Sequence, residues 1–174
     1  ACKKQNFLDK TTTTDLNEAA VFSDSSRAMD FLTNIYTNVD FSFSLARFNG
    51  AAGLDAASDE AEGPLSTGVT TYNQFTSASV SAFNIATDAW NIPYSQIRAV
   101  NQFLQHLPGI PFNDILKRRT RGEATFLRAW YYATMLKHYG GVPLIGDSIY
   151  TEADKINTVR KTYSDCVDYI TAQC

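Results

Sequence analysis

No uninterrupted apolar run in this chain approaches the ~20 residues of a bilayer-spanning helix, so no helix of the sequence is long and apolar enough to cross a membrane. A basic excess is also missing. Fifteen Lys and Arg stand against 18 Asp and Glu, for a net charge of -3 and a pI near 5.3. The phosphate-neutralising charge that supplies most nucleic-acid affinity therefore has no source, and nucleic acid is not an expected partner. Histidine is scarce: His106 and His138 lie far apart, and Cys2, Cys166 and Cys174 form no C-x-x-C. No metal-ligand spacing results, so neither a metal site nor a cofactor is expected. There is no G-x-S-x-G, H-E-x-x-H, P-loop or G-x-G-x-x-G to carry catalysis or phosphate binding. What is present is a chain of 174 residues, 44% hydrophobic and 19% charged, which suits a folded domain with a real core.

The N-terminal stretch through "NFLDKTTTTDLNEAAVFSD" contains a threonine run that disfavours helix, so residues 1–22 read as an extended tether. The helical domain is expected over 23–174. Its first helix runs from about Ser25 to Val39, capped by Ser23 or Asp24, with Ala28, Leu32, Ile35, Tyr36 and Val39 on one buried stripe. A second pattern covers roughly Val80 to Leu107 and places Trp90, Tyr94, Ile97, Asn101 and Leu104 on one face. Pro93 interrupts it and predicts a kink or break between Asn91 and Tyr94, because an interior proline removes a backbone hydrogen bond. "HLPGIPFND" then turns the chain, and Asn113 or Asp114 caps a helix extending to about Tyr139.

That third helix carries Phe126, Leu127, Ala129, Trp130, Tyr131, Tyr132, Ala133, Met135 and Leu136, apolar on nearly every side, and so reads as an inner helix packed by several neighbours. Arg128, inside the apolar run, must reach a partner or water. Gly140-Gly141 supplies a C-cap and Pro143 prevents continuation. A last helix starts near Thr162, with Tyr163, Val167 and Ile170. With no strand pattern, the fold class is all-α, a tetratricopeptide-like stack of helical hairpins with long loops.

Residues 40–82 hold no sustained apolar period, and a loop of that length in a compact domain is usually functional. It contains a carboxylate cluster, Asp55, Asp59, Glu60 and Glu62, and a polar-aromatic string, Tyr72, Asn73, Gln74 and Phe75. Ala1-Cys2-Lys3-Lys4 looks like the end of a bacterial lipoprotein signal, in which Cys2 receives the lipid; the bland alternative is a stray terminal cysteine.

Four ordered features together resemble the SusD/RagB family of surface nutrient-binding lipoproteins. They are the Cys2 anchor followed by Phe7-Leu8-Asp9, the first helix ending in Ile35-Tyr36, the set Trp90, Tyr94, Ile97 and Asn101, and "RGEATFLRAWYYATMLKHYGGVPLI". The resemblance extends along essentially the whole chain, though family members are much longer and Pro93 departs from the pattern. It implies an outer-membrane, cell-surface lipoprotein that binds oligosaccharide or peptide nutrient and delivers it to a SusC-like TonB-dependent transporter. The signature residues Arg121, Gly122, Glu123, Arg128, Gly140 and Gly141 read as architecture: Gly122 for close packing, Glu123 paired with Arg119, Arg128 clamping a loop.

Sugar recognition needs flat aromatic faces and convergent polar groups, so the expected ligand-binding residues are Arg47, Asp59, Glu60, Tyr72, Asn73 and Phe75. No catalytic residue is expected. Two other classes remain beside this reading. One is a helical-repeat scaffold binding a protein on its concave face; the other is a glycoside hydrolase using paired carboxylates such as Asp59 and Glu62.

Overall fold

The computed structural model of the chain describes residues 17–39, 58–60, 73–81 and 89–174. Six α-helices lie in these segments: α1 Glu18–Phe22, α2 Ser25–Thr37, α3 Asn73–Thr76, α4 Asn91–His106, α5 Asp114–Tyr139 and α6 Tyr163–Gln173. Among the described residues there is no strand; an isolated antiparallel bridge joins Pro143 and Arg160. The all-α architecture follows.

Side-chain caps fix where the helices begin. Asp24 accepts from the Arg27 N–H at 2.9 Å to start α2, and Asn113 accepts from the Leu116 N–H at 2.8 Å to start α5. Thr162 and Asp165 form a capping box at α6, each side chain accepting from the other's backbone N–H. Interaction with the Thr162 side chain first, and then with its backbone N–H, holds the Asp165 carboxyl below its ordinary range.

The core lies where α5 meets its neighbours. This helix packs against α4 across the turn at Leu107–Gly109, against α6 on another side and against α2 on a third. Leu127, Tyr131, Tyr132 and Met135 of α5 are buried with Leu32 and Ile35 of α2, Ile97, Val100 and Phe103 of α4, and Cys166 of α6. Two buried tyrosines use their hydroxyls to fix this arrangement: Tyr131 donates to the Ile35 carbonyl at 2.6 Å, and Tyr132 accepts from the Ile145 N–H at 3.0 Å. Burial raises both hydroxyls well above the ordinary phenol range.

The structure departs from the sequence-based expectations in several places, among them Phe126, which is exposed on α5, and the second helix, which begins at Asn91 and not near Val80. Residues Glu18–Phe22, expected as the end of an extended tether, are helical; Asn17 caps them and Phe22 enters the core, stacked on His106 at 4.4 Å. The Glu18 carboxylate also meets His106 at 3.0 Å. Tyr36 is exposed instead of continuing the α2 stripe. Pro93 causes no kink, because α4 begins at Asn91 and places it in the first turn, where the N–H groups lack intrahelical partners anyway. Gly122, expected to permit close packing, has nothing within 4 Å of where a Cβ would stand.

Other expectations match. Glu123 pairs with Arg119 at 2.7 Å on the surface. Gly140 ends α5 with φ 70° and ψ -141°, a positive φ as expected but outside the left-handed helical region. Cys166 is buried, its thiol beside the Val142 backbone, while Cys174 is exposed; neither is in a disulfide.

Candidate functional site

One stripe of α4 holds the chain that follows α5. Tyr94, Arg98 and Asn101, at i, i+4 and i+7, point the same way, and each donates to backbone carbonyls of the 143–150 segment. The Tyr94 hydroxyl donates to Pro143 at 2.7 Å, Arg98 donates to Tyr150, and the Asn101 amide donates to both Gly146 and Ser148 at 2.9 Å. Arg128 of α5 donates to the Asn101 amide oxygen at 2.9 Å and to the Asp147 carboxylate at 2.5 Å. A segment with no periodic structure of its own is thereby positioned by side chains from two helices.

Between the start of α4 and this segment lies a groove of about 780 Å³, a size suited to a small ligand. Trp90, Tyr94 and Tyr150 line it together with Asn91, Arg98 and Glu152. Trp90 is braced by Tyr94, with ring centroids 5.0 Å apart, and by Tyr139 edge-on at 5.3 Å. Tyr139 in turn accepts from the Ala89 N–H at 2.9 Å. Burial raises the Tyr94 hydroxyl well above the ordinary phenol range, so it stays protonated and donating. Next to the groove residue Thr151, Asp154 accepts from the Thr151 N–H and hydroxyl at 2.7 and 2.8 Å, which holds its carboxyl below the ordinary range and closes a tight turn. The site thus joins braced aromatic rings to an amide, a guanidinium and a carboxylate. Such a set can stack on the C–H face of a ring and hydrogen-bond its hydroxyls.

The sequence profile of the SusD-like family, described as "Starch-binding associating with outer membrane", matches residues 6–173. The chain belongs to the SusD-like family. A solved SusD-like protein from Bacteroides fragilis is similar to it, 24% identical with a TM-score of 0.66, over 88% of this chain and 29% of that one. A solved laminarin-binding SusD-like protein is 21% identical with a TM-score of 0.73, over 87% of this chain and 33% of that one. The chain thus spans about a third or less of the structures it matches, and at these identities the likeness shows the fold. No curated protein sequence matches it.

Of the residues expected to bind ligand in this SusD-like chain, Arg47 and Tyr72 lie outside the described residues, as does the lipidation candidate Cys2. Asp59 and Glu60 stand exposed in a turn in which the Ser58 hydroxyl accepts from the Glu60 N–H at 3.3 Å. Asn73 begins α3, on which Phe75 is exposed and Gln74 buried. No described contact joins these two segments to each other. The groove residues Arg98, Tyr150 and Glu152 escaped the sequence reading, because neither periodicity nor a motif marks them. The one available signal was the pair Trp90 and Tyr94, which the helical stripe assigned to the core.

Proposed function

We propose that this SusD-like chain is the helical part of a non-enzymatic binding protein for oligosaccharides, and that the groove beside Trp90, Tyr94 and Tyr150 contributes to its saccharide site. The observation carrying this reading is the combination of braced aromatic faces with Asn91, Arg98 and Glu152 in one cavity of a chain whose family is described as starch-binding. The laminarin-binding relative adds support for a glucan. Arg47, Asp59, Glu60, Tyr72, Asn73 and Phe75 are proposed to add further ligand contacts from the 40–82 region. Peptide is the alternative ligand.

Calorimetric titration with laminarin- and starch-derived oligosaccharides and with a peptide mixture tests the proposal. A glucan is expected to bind without release of reducing sugar, and Tyr150→Ala is expected to weaken it at least ~10-fold, the scale of losing one well-placed aromatic contact. Binding of peptide alone, or of no saccharide, overturns the reading.

The family description also supports placement at the outer membrane. We propose anchoring through a lipid on Cys2 and delivery of the ligand to a SusC-like TonB-dependent transporter. Expressed with its own secretion signal, the Cys2→Ala variant is expected in the soluble fraction where the parent sediments with membranes. Equal sedimentation of the two contradicts the anchor. A large β-barrel partner recovered from native membranes supports the transporter assignment; recovery of none contradicts it.

A further inference from the structure

A second groove opens on the other side of the 143–150 segment. Neighbouring residues of that segment face opposite ways: Ser148 and Tyr150 line the first groove, Asp147 and Ile149 the second. The second cavity has a volume of about 520 Å³. Its walls are a stripe of α4 bearing Asn101 and Gln105 and a stripe of α5 bearing Arg121, Thr125 and Arg128. On α5 these fall at i, i+4 and i+7, so all three point the same way.

Its chemistry differs from that of the first groove. No aromatic ring lines it, and two guanidinium groups share it with a single carboxylate, that of Asp147. This local positive balance stands in a chain where acids outnumber bases, 18 to 15. Arg121 is exposed and has no ion-pair partner among the described residues, whereas Arg119, two positions away, takes Glu123. Arg128 is almost entirely buried, with 6% of its side chain exposed, yet the carboxylate that neutralises it belongs to a side chain 88% exposed. Asp147 follows Gly146, which holds a positive φ of 56°, at a turn.

We propose that this groove binds an anionic saccharide unit, a sugar carrying a carboxylate or sulfate group, with Arg121 as its first anchor and Arg128 as its floor. The exposed Arg121 guanidinium can match either group through two parallel N–H donors, while Arg128, whose Nε and Nη2 are held by Gln173, offers Nη1 from a floor that excludes water. Arg128 cannot be left without a counter-charge, because stripping a buried charge of its partner is strongly unfavourable. An incoming acid group meets that condition by taking the place of the Asp147 carboxylate, which turns outward to solvent. Gln105 offers an amide donor and acceptor at the exposed rim, and the Thr125 oxygen can accept from a sugar hydroxyl. The sugar part of the proposal rests on the saccharide reading above; the anion part rests on this groove alone.

The test titrates the chain, at constant ionic strength, with trigalacturonate, its neutral methyl ester, a sulfated oligosaccharide and sodium sulfate. Either the uronate or the sulfated sugar is expected to bind, which also decides between the two acid groups. The Arg121→Gln variant should weaken whichever acidic sugar binds at least tenfold, added salt should weaken it further, and where the uronate binds its methyl ester should bind at least tenfold more weakly. Arg121 is exposed, so its replacement leaves the core untouched. Tyr150→Ala, in the first groove, should leave acid binding unchanged, so a failure of the glucan site is distinguishable from a failure here. Binding of the ester as tight as that of the uronate, indifference of the bound acidic sugar to Arg121→Gln, or no binding of either acidic sugar overturns the proposal. Sodium sulfate binding as tightly as the oligosaccharides also overturns it, since that describes a plain ion site.

Discussion

Replacing Gly141 by alanine is expected to lower the melting temperature by roughly 10 °C. A Cβ at this position would stand 2.0 Å from the Lys161 carbonyl oxygen and 3.0 Å from two further backbone carbons, those of Lys161 and Thr162. Backbone cannot rotate away as a flexible side chain can. The contact is also part of the fold's closure, because Lys161 donates to the Val142 carbonyl at 3.2 Å and Pro143 bridges to Arg160. Admitting the methyl group means pushing these segments apart, and with them the start of α6 at Thr162. Overpacking of this kind costs about 3 kcal/mol, and roughly 2–4 °C accompanies each kcal/mol in a domain of this size. Thermal unfolding followed by circular dichroism measures it.

Gly122→Ala is the matched control. That glycine sits inside α5 with open space where a Cβ would go, so alanine should stabilise by up to ~1 kcal/mol through helix propensity. Similar melting temperatures for the two variants would show that the 141–162 contact is not tight.

Arg128→Ala is expected to cost on the order of 3 kcal/mol in urea denaturation, through lost hydrogen bonds and the void left behind. Its guanidinium reaches three elements at once. Nε and Nη2 donate to the Gln173 side-chain oxygen of α6 at 3.0 and 2.5 Å, and Nη1 donates to Asn101 of α4 and to Asp147. Alanine leaves the Asn101 and Gln173 oxygens without these donors, whereas the exposed Asp147 carboxylate is simply hydrated. Lysine should recover less than half of the loss, because an ammonium group lacks the planar fork that spans these acceptors. A change below ~0.5 kcal/mol in Arg128→Ala, the range of ordinary surface substitutions, would contradict the clamp.

How much of this was legible in sequence depended on whether the determinant was local. The ends of α5 are written in Asn113 and Gly140, and the start of α6 in Thr162 and Asp165, so those boundaries could be read directly. The five residues of α1 are too few to show a period, and the preceding threonine run suggested extension; only the docking of Phe22 on Phe31 and His106 reveals their role. Pro93 carried a helix-breaking signal whose meaning depended on register, which the sequence pattern set about ten residues too early. Arg128 could be recognised as a buried charge in need of partners, but Asp147 and Gln173 lie 19 and 45 residues away. The groove was least legible, since it forms only when Tyr94, Arg98 and Asn101 capture carbonyls some 45–52 residues distant.

The central claim is that saccharide binds beside Trp90, and the chain's two tryptophans allow a direct test. Trp90 lines the groove, while Trp130 lies on α5 outside it. Nitrogen-15 spectra recorded during titration with a laminarin oligosaccharide should show the Trp90 indole N–H signal moving, together with the backbone signals of Tyr150 and Glu152, while the Trp130 indole stays in place. Saturable binding that leaves the Trp90 indole and the 148–152 backbone unmoved would contradict the account.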